Sequence, residues 1–258
     1  MQDIIFIVSG LVVGTIIGLT GVGGGSLMTP LLIMGFGINP AVAVGTDLLF
    51  AAVTKFGGTL KLAKERLVPW NYVALLSAGS IPAAFATIVA LHKFGAATPQ
   101  TEQLIRQGLG FALLLTAVAT LIKVFVAHKP AASTAPTRAD AHWAWPVLFG
   151  AVIGALVTLT SVGAGAIGVT ALLLLFPSLA LPRVVAADLA YAVPLTLVAG
   201  LGHASLGTVD WHLLALLLCG SLPGIWLGAH LLNKTNPRFI RSALSVLLAT
   251  AGFKLLAW

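Results

Sequence analysis

Long runs of hydrophobic residues, separated by short polar segments, dominate this chain. Runs close to the length of about 20 residues that spans a bilayer recur in both halves. They cover residues 42–60, 72–91, 105–127, 186–201 and 211–232. A membrane-spanning strand would be about half as long and would alternate in polarity, so the runs predict helices. The pattern therefore indicates an all-α polytopic membrane protein.

Composition favours the same environment. The chain is 59% hydrophobic and 8% charged, whereas a soluble domain usually carries about 25% charged residues. The first apolar stretch has Asp3 where a signal peptide would be basic, so we expect it to be retained. A single cysteine, Cys219, excludes an intramolecular disulfide and a multi-cysteine metal cage. Nothing in the sequence calls for a cofactor or a metal.

The chain contains an internal repeat. Residues 20–25, with the sequence TGVGGG, are similar to residues 160–165, with the sequence TSVGAG. A constant offset then carries Asp47 onto Asp188 in the second half. A repeat with a glycine-rich segment and an acid within an apolar run in each copy is typical of a transporter whose site lies between its halves.

The repeat also divides the chain. We expect residues 1–127 to form the first transmembrane repeat and residues 143–258 to form the second. Residues 128–142 are rich in Ala, Pro, Ser and Thr and lack apolar periodicity, so they are interpreted as a flexible cytoplasmic linker.

The glycine-rich segments are expected to interrupt helices. One helix over residues 4–36 would be about 50 Å long, which exceeds a bilayer core of about 30 Å. We therefore predict a first break at residues 21–26 and a second break at residues 161–166. The short apolar piece at 27–36 either crosses fully or is re-entrant, and each repeat then has about five helical elements.

Charge supports this odd number of elements. An odd number of elements per half places ten Lys and Arg residues on one side of the membrane and three on the other, which is a strong cytoplasmic bias. Four simple spans per half would divide the same residues seven against six. An odd number inverts the second repeat relative to the first and puts both termini on the extracytoplasmic side.

The two breaks carry the chemistry predicted for an anion site. Backbone N–H groups lose their helical partners where a helix restarts, and glycine lets an anion approach them closely. The candidate substrate-binding residues are Thr20, Gly21, Gly23, Gly24, Gly25, Ser26, Thr160, Ser161, Gly163, Gly165 and Lys55. Small residues four apart, such as Gly10 and Gly14, instead favour close helix packing.

Asp47 and Asp188 lie about 10 Å inside their helices at 1.5 Å per residue, where an unpaired carboxylate is costly. One interpretation makes both acids proton carriers, with protonation exchanging against anion binding. The other has each acid accept hydrogen bonds from the broken backbone or pair with Lys55. The sequence leaves both open.

These motifs resemble those of a known family. The opening at residues 20–25, the Asn39-Pro40-Ala41 turn before Gly45-Thr46-Asp47, Trp70, and the Gly79-x-x-Pro82 helix are similar to the sulfite exporter TauE/SafE family, also called the toluene sulfonate uptake permease family. The resemblance covers both halves. The second copy departs from it, with Ala164 in place of a glycine and Ala186-Ala187-Asp188 before its acid.

The resemblance implies a secondary transporter in the bacterial inner membrane that exports sulfite or an organosulfonate by alternating access, with protons as coupling ion. An anion channel, or an uptake permease for a small carboxylate or sulfonate, is the alternative. An enzyme is not expected, because no Gly-x-Ser-x-Gly motif occurs. The chain has a net charge of +7, and its basic residues are scattered over short loops. This distribution indicates membrane lipids, and not nucleic acid, as the partner of these residues. The sequence leaves open whether the protein forms a homodimer.

Overall fold

The prediction of an all-α protein is confirmed. The computed structural model describes residues 2–20, 25–95, 98–125, 143–176, 179–231 and 237–257. Within these ranges the chain forms ten α-helices and one π-helical turn, and no strand. The elements are α1 Gln2–Thr20, α2 Gly25–Pro30, the π-helical turn Leu31–Gly35, α3 Pro40–Lys64, α4 Trp70–Phe94, α5 Pro99–Phe125, α6 Ala144–Thr160, α7 Ala166–Leu175, α8 Leu181–Ser205, α9 Trp211–Leu231 and α10 Pro237–Ala257.

Six of the described helices, α1, α3, α4, α5, α8 and α9, are long and apolar enough to cross a membrane. Helices α6 and α7, the apolar part of α10 and the segment Gly25–Gly35 are shorter. Large apolar side chains such as Phe85, Phe111 and Phe253 point outward and are 61–65% exposed. Such a surface is stable against lipid and unstable in water, as the composition predicts.

Helix α3, which carries Asp47, begins at the predicted turn. Pro40 is its first residue, where the missing N–H costs nothing. The Asn39 side-chain oxygen accepts a hydrogen bond from the Ala41 N–H at 2.9 Å, and its amide nitrogen donates to Glu102 on α5. One residue therefore caps α3 and joins it to a second helix.

Helix packing follows the sequence repeat. Helix α1 packs on α9 and α6 packs on α4, while α3 packs on α8 and α5 packs on α10. Gly10 lies against the backbone of Leu217, and Gly150 lies against the backbone of Leu76. A methyl group at either glycine would overlap a carbonyl oxygen of the partner helix. Both glycines therefore serve close packing, as predicted for Gly10.

The domain boundaries and the inversion of the second repeat stay predictions. The proposed linker, residues 128–142, lies outside the described residues.

Candidate functional site

The two helix breaks meet. Helix α1 ends at Thr20 and α2 begins at Gly25, while α6 ends at Thr160 and α7 begins at Ala166. Gly25 lies so close to Ser161 that a methyl group on it would overlap the Ser161 carbonyl oxygen. The restarted helix of the first half therefore touches the break of the second half. Gly25 and Ser26 belong to this restarted helix, so the first break ends earlier than residue 26.

Three of the predicted first-break glycines cannot be placed in this contact. Gly21, Gly23 and Gly24 lie outside the described residues, and so does the side chain of Thr20.

The second break is built from backbone conformations with positive φ. Ser161 has a φ of 58°, and Gly163 and Gly165 have φ values of 137° and 132°. The latter two values suit glycine, which lacks the Cβ that would collide with the backbone. The Ser161 N–H still donates to the Val157 carbonyl at 2.7 Å, and hydrogen bonding resumes when Gly168 N–H donates to the Gly163 carbonyl at 3.0 Å.

Asp47 connects the two halves at this point. The residue is fully buried. Its Oδ2 atom accepts hydrogen bonds from the hydroxyls of Thr29 on α2 at 2.5 Å and of Ser161 in the second break at 2.9 Å. The other carboxylate oxygen, Oδ1, has no hydrogen-bond partner in the described part of the chain. A buried acceptor with a free oxygen is a place where a proton or a ligand can bind.

Asp188, the counterpart of Asp47, has a different set of neighbours. It is 2% exposed, and its Oδ1 accepts a hydrogen bond from the Gly165 N–H at 3.3 Å. Gly168 leaves room for this carboxylate, because a methyl group there would overlap Oδ1 and come within 2.8 Å of the Tyr191 hydroxyl. Asp188 therefore lies between the second break and Tyr191.

Lys55 lies inside the protein with both acids. The residue is 6% exposed, and its Nζ donates to the Ala164 carbonyl in the second break at 3.2 Å. Its ammonium group interacts electrostatically with both Asp188 and Asp47. A buried ammonium group requires such partners, since the desolvation of an isolated charge is very costly.

Two further predicted donors occupy the same region. Ser26 is 6% exposed at the start of α2. Thr160 is fully buried, and its hydroxyl donates to the Leu156 carbonyl at 2.7 Å while accepting from the Val162 N–H at 3.2 Å. The hydroxyl hydrogen of Thr160 is thus bonded to a carbonyl in the last turn of α6.

Sequence analysis missed two residues of the site. Thr29 is a hydroxyl within the apolar piece at 27–36, and Tyr191 follows Asp188 by three residues, which places both on one helix face. A polar residue in a membrane helix is a signal that could have identified either.

The groups brought together here suit proton and anion chemistry: two carboxylates, one ammonium group, hydroxyls and a broken backbone. The described residues contain no group of three His, Cys, Asp or Glu side chains placed to hold a metal ion.

An all-helical protein with several membrane spans and a buried ionisable site between two repeats is a multi-pass membrane transporter of the cell membrane. The model of the family "Sulfite exporter TauE/SafE" matches residues 6–255, and the chain belongs to this family. Its members are membrane transporters and not enzymes. The resemblance inferred from the motifs is thereby confirmed.

Three relatives from Bacillus subtilis (strain 168) are similar over nearly their whole length. The probable membrane transporter protein YjnA is 37% identical over 99% of this chain and 100% of its own. The probable membrane transporter proteins YunE and YdhB are each 26% identical, covering 99% and 94% of this chain and 98% and 96% of their own. No solved structure matches the chain significantly.

Proposed function

We propose that this protein exports a small sulfur oxyanion, sulfite or an organosulfonate, by proton-coupled transport and alternating access. The observation that carries the proposal is the hydrogen bond between Asp47 of the first half and Ser161 in the break of the second half. A buried, ionisable contact between two repeats is where alternating-access transporters bind their cargo. The family description supports the sulfur oxyanion as substrate.

The site has donors for an anion. The Ser161 hydroxyl donates a hydrogen bond to Asp47, and the Lys55 ammonium group donates one to the Ala164 carbonyl in the second break. An anion entering here would replace a carboxylate or carbonyl acceptor with its own oxygens, and the charged hydrogen bond to Lys55 would be the strongest of these. Lys55 is thus the principal anion ligand in this proposal.

The acids supply the coupling. A sulfite oxygen and an ionised Asp47 would repel each other across a short, poorly screened distance. Protonation of the acid removes this repulsion, so proton and anion occupancy are linked at one site. In this scheme both Asp47 and Asp188 are candidate proton carriers.

Flux measurements in proteoliposomes test the proposal. We expect purified protein to move sulfite uphill when a proton gradient is imposed, and Asp47→Asn to abolish the response to the gradient. Glu65→Gln is the matched control, because it neutralises an exposed acid at the end of α3. Gradient-driven flux that is intact in Asp47→Asn would remove Asp47 from the coupling.

The same assay separates the alternatives. An anion channel would pass sulfite only downhill, with no response to a proton gradient. An uptake permease would concentrate its substrate in the opposite direction. A panel of sulfite, thiosulfate, sulfoacetate, taurine and pyruvate identifies which anion is carried.

A further inference from the structure

We propose that a cavity between α4, α5 and α6 is the passage by which the site opens to one face of the membrane. In the same proposal, the matching contact between α1 and α9 is the closed form of the equivalent passage for the opposite face. The inference rests on the proposed alternating access, and it adds which helices separate and at which face.

The cavity reaches the second break. It has a volume of about 640 Å³, and its walls are the last turns of α4, the first turns of α5 and Leu159 near the end of α6. Ser161, whose hydroxyl binds Asp47, follows Leu159 by two residues. On α5, one turn beyond the wall, Gly108 faces the Thr160 methyl group. The inner end of the cavity is therefore adjacent to the hydrogen bond that joins the two halves.

The other end of the cavity continues into a polar mouth. A second cavity, of about 510 Å³, shares Leu91 and Thr98 with the first. It lies where α4 and α8 end, and its further lining residues are His92, Gly95, Ser205, Leu206 and Thr208. The two cavities thus form one cleft that runs from the helix ends to Leu159.

The chemistry of this cleft suits water and a passing ion. The hydroxyls of Thr98 and Thr101 lie on its wall, 2.9 Å apart, and the Gln100 amide lies beside them. These groups can hydrogen-bond water, and the volume is many times the roughly 30 Å³ of one water molecule. The apolar wall residues, such as Phe94 and Leu104, offer no group that would retain an anion. A passage requires such weak binding, because an ion that enters must also leave.

The matching place in the other half is closed. Aligned on the Gly-Ser-x-Pro motifs, α9 has Gly228 where α4 has Thr87. Aligned on the two breaks, α1 has Leu19 where α6 has Leu159. Gly228 is buried, and a methyl group there would lie 2.2 Å from the Thr15 carbonyl oxygen and 2.9 Å from the Leu19 nitrogen. Helices α1 and α9 thus touch at the level where Thr87 and Leu159 border the cavity.

The open and the closed place lie toward opposite faces of the membrane. Helix α4 ends at the mouth, because His92 lines it together with Thr208. Helix α9 begins three residues after Thr208, at Trp211. From there it runs away from this face for about 30 Å at 1.5 Å per residue. Gly228 is in the last turn of α9, so its contact with α1 is near the other face.

The sequence explains why the two helix pairs differ. Helix α9 has Gly224 and Gly228 where α4 has Ala83 and Thr87. Both glycines are buried against α1, whereas Ala83 and Thr87 are only partly buried. A side chain at either α9 position would overlap the α1 backbone, so α4 cannot approach α6 as closely as α9 approaches α1. The repeat therefore favours a resting protein that is open at the face where α4 ends.

Cysteine labelling in sealed vesicles tests the passage. Cys219→Ser removes the single cysteine of the chain, and Thr87→Cys, Leu159→Cys or Leu19→Cys is then added. A methanethiosulfonate that carries a sulfonate group is a small anion, and it reacts with a thiolate, which needs water to form. We expect Thr87→Cys and Leu159→Cys to react from the face where α4 ends. Leu19→Cys should react roughly tenfold more slowly from either face, which corresponds to about 1.4 kcal/mol in favour of the closed contact.

Two controls define the face and the solvent. Ser205→Cys, exposed at the mouth, should react and marks the face. Phe85→Cys is on the same helix as Thr87 and is 65% exposed, but toward lipid, so it should stay unreactive. If Thr87→Cys and Leu159→Cys reacted with an uncharged maleimide and not with the charged reagent, lipid would fill the cavity and the proposal would be wrong. Equal reaction at Leu19→Cys and Leu159→Cys would also overturn it.

Copying the glycines of α9 into α4 tests the cause of the opening. In the Leu159→Cys protein, Ala83→Gly with Thr87→Gly lets α4 approach α6, so labelling should slow by roughly tenfold, again about 1.4 kcal/mol. Ala74→Gly with Ala78→Gly, at two exposed positions of α4, adds the same number of glycines and should leave the rate unchanged. Labelling that stays equally fast or becomes faster in the Ala83→Gly, Thr87→Gly protein would contradict the proposed cause.

These measurements are independent of the substrate. Labelling as expected in a protein that does not carry sulfite would support the passage and remove sulfite from the proposed function. Proton-driven sulfite flux with no labelling at Thr87→Cys or Leu159→Cys would overturn the passage and leave the proposed function in place.

Discussion

At the scale of single residues, the contact between Gly25 and Ser161 sets the separation of the two halves at the site. We expect Gly25→Ala to force the Ser161 carbonyl away and to lower stability by about 1–3 kcal/mol, as overpacking does. Thermal unfolding in detergent measures this loss. Gly57→Ala is the control, because Gly57 is exposed on α3 with nothing within 4 Å of a new methyl group; it should be neutral or slightly stabilising. Equal destabilisation by both changes would argue against the contact.

Ser161 combines two properties that two substitutions can separate. Its hydroxyl binds Asp47, and its backbone is left-handed with a φ of 58°. Ser161→Ala and Ser161→Gly both remove the hydroxyl, so both should reduce gradient-driven flux, by roughly tenfold for 1.4 kcal/mol of lost interaction. Only glycine relieves the backbone, so Ser161→Gly should be more stable than Ser161→Ala by about 1 kcal/mol. A flux that falls in one variant alone would show that the hydroxyl is not the cause.

The residues of this site were only partly predictable. Asp47, Asp188 and Lys55 could be found because a charged side chain in an apolar run is conspicuous. Their arrangement could not, since the Lys55 Nζ donates to the Ala164 carbonyl of the second break, 109 residues further along the chain. That contact depends on how α3 packs against α8 and on the course of the second break, neither of which is encoded in local spacing.

At the scale of elements, two symmetry-related loops differ in the side chains that fasten them. Residues 65–69 follow α3 and residues 206–210 follow α8. Their backbones are alike: the Leu67 N–H donates to the Leu62 carbonyl, the Thr208 N–H donates to the His203 carbonyl, and both distances are 3.0 Å. Both helix ends therefore close with the same hydrogen-bonding pattern.

The loop after α8 adds polar contacts to this pattern. The His203 ring faces the Thr208 hydroxyl at 2.9 Å and the Thr158 carbonyl at 3.0 Å, and the Asp210 N–H donates to Thr46, next to Asp47, at 3.0 Å. The loop after α3 instead packs Leu67 and Val68 in an apolar cluster with Ala187. The loop after α8 is thus stabilised by hydrogen bonds, and the loop after α3 is stabilised by apolar packing.

Replacing His203 with leucine, the residue at the matching position 62 of α3, tests this difference. We expect His203→Leu to leave the Thr158 carbonyl without its side-chain partner and to lower stability by about 1–3 kcal/mol. His212→Leu, at an exposed position on α9, should change stability by less than about 0.5 kcal/mol. Hydrogen exchange at residues 206–210 localises the effect. Unchanged protection of this loop in His203→Leu would show that the ring does not fasten it.

Elements were more predictable than contacts. The helices and the second break follow from the lengths of apolar runs and from consecutive small residues, which are local features. The predicted first break extends two residues too far along the chain, because Gly25 and Ser26 already lie in α2. A helix N-terminus tolerates glycine and serine well, so composition alone could not separate the break from the restart.

At the scale of the whole molecule, helices find their main partners in the opposite half. Helix α1 packs on α9, α4 on α6, α3 on α8 and α5 on α10. Each pair joins one helix from the first repeat to one from the second. Neither repeat has a self-contained set of partners, so folding and association of the halves are expected to be one process.

This arrangement predicts how a divided chain behaves. Segments 1–127 and 143–258, expressed as two polypeptides, should associate and co-purify, because the interhelical contacts lie between them. Each segment alone should aggregate or be degraded. Gly14→Leu provides the control, since any side chain there overlaps the Ser221 backbone of α9; it should abolish co-purification, whereas Gly57→Leu, at an exposed site on α3, should not. If the first segment were recovered alone as a stable, monodisperse protein, the repeats would be independent domains, and a shared site between them would lose its structural basis.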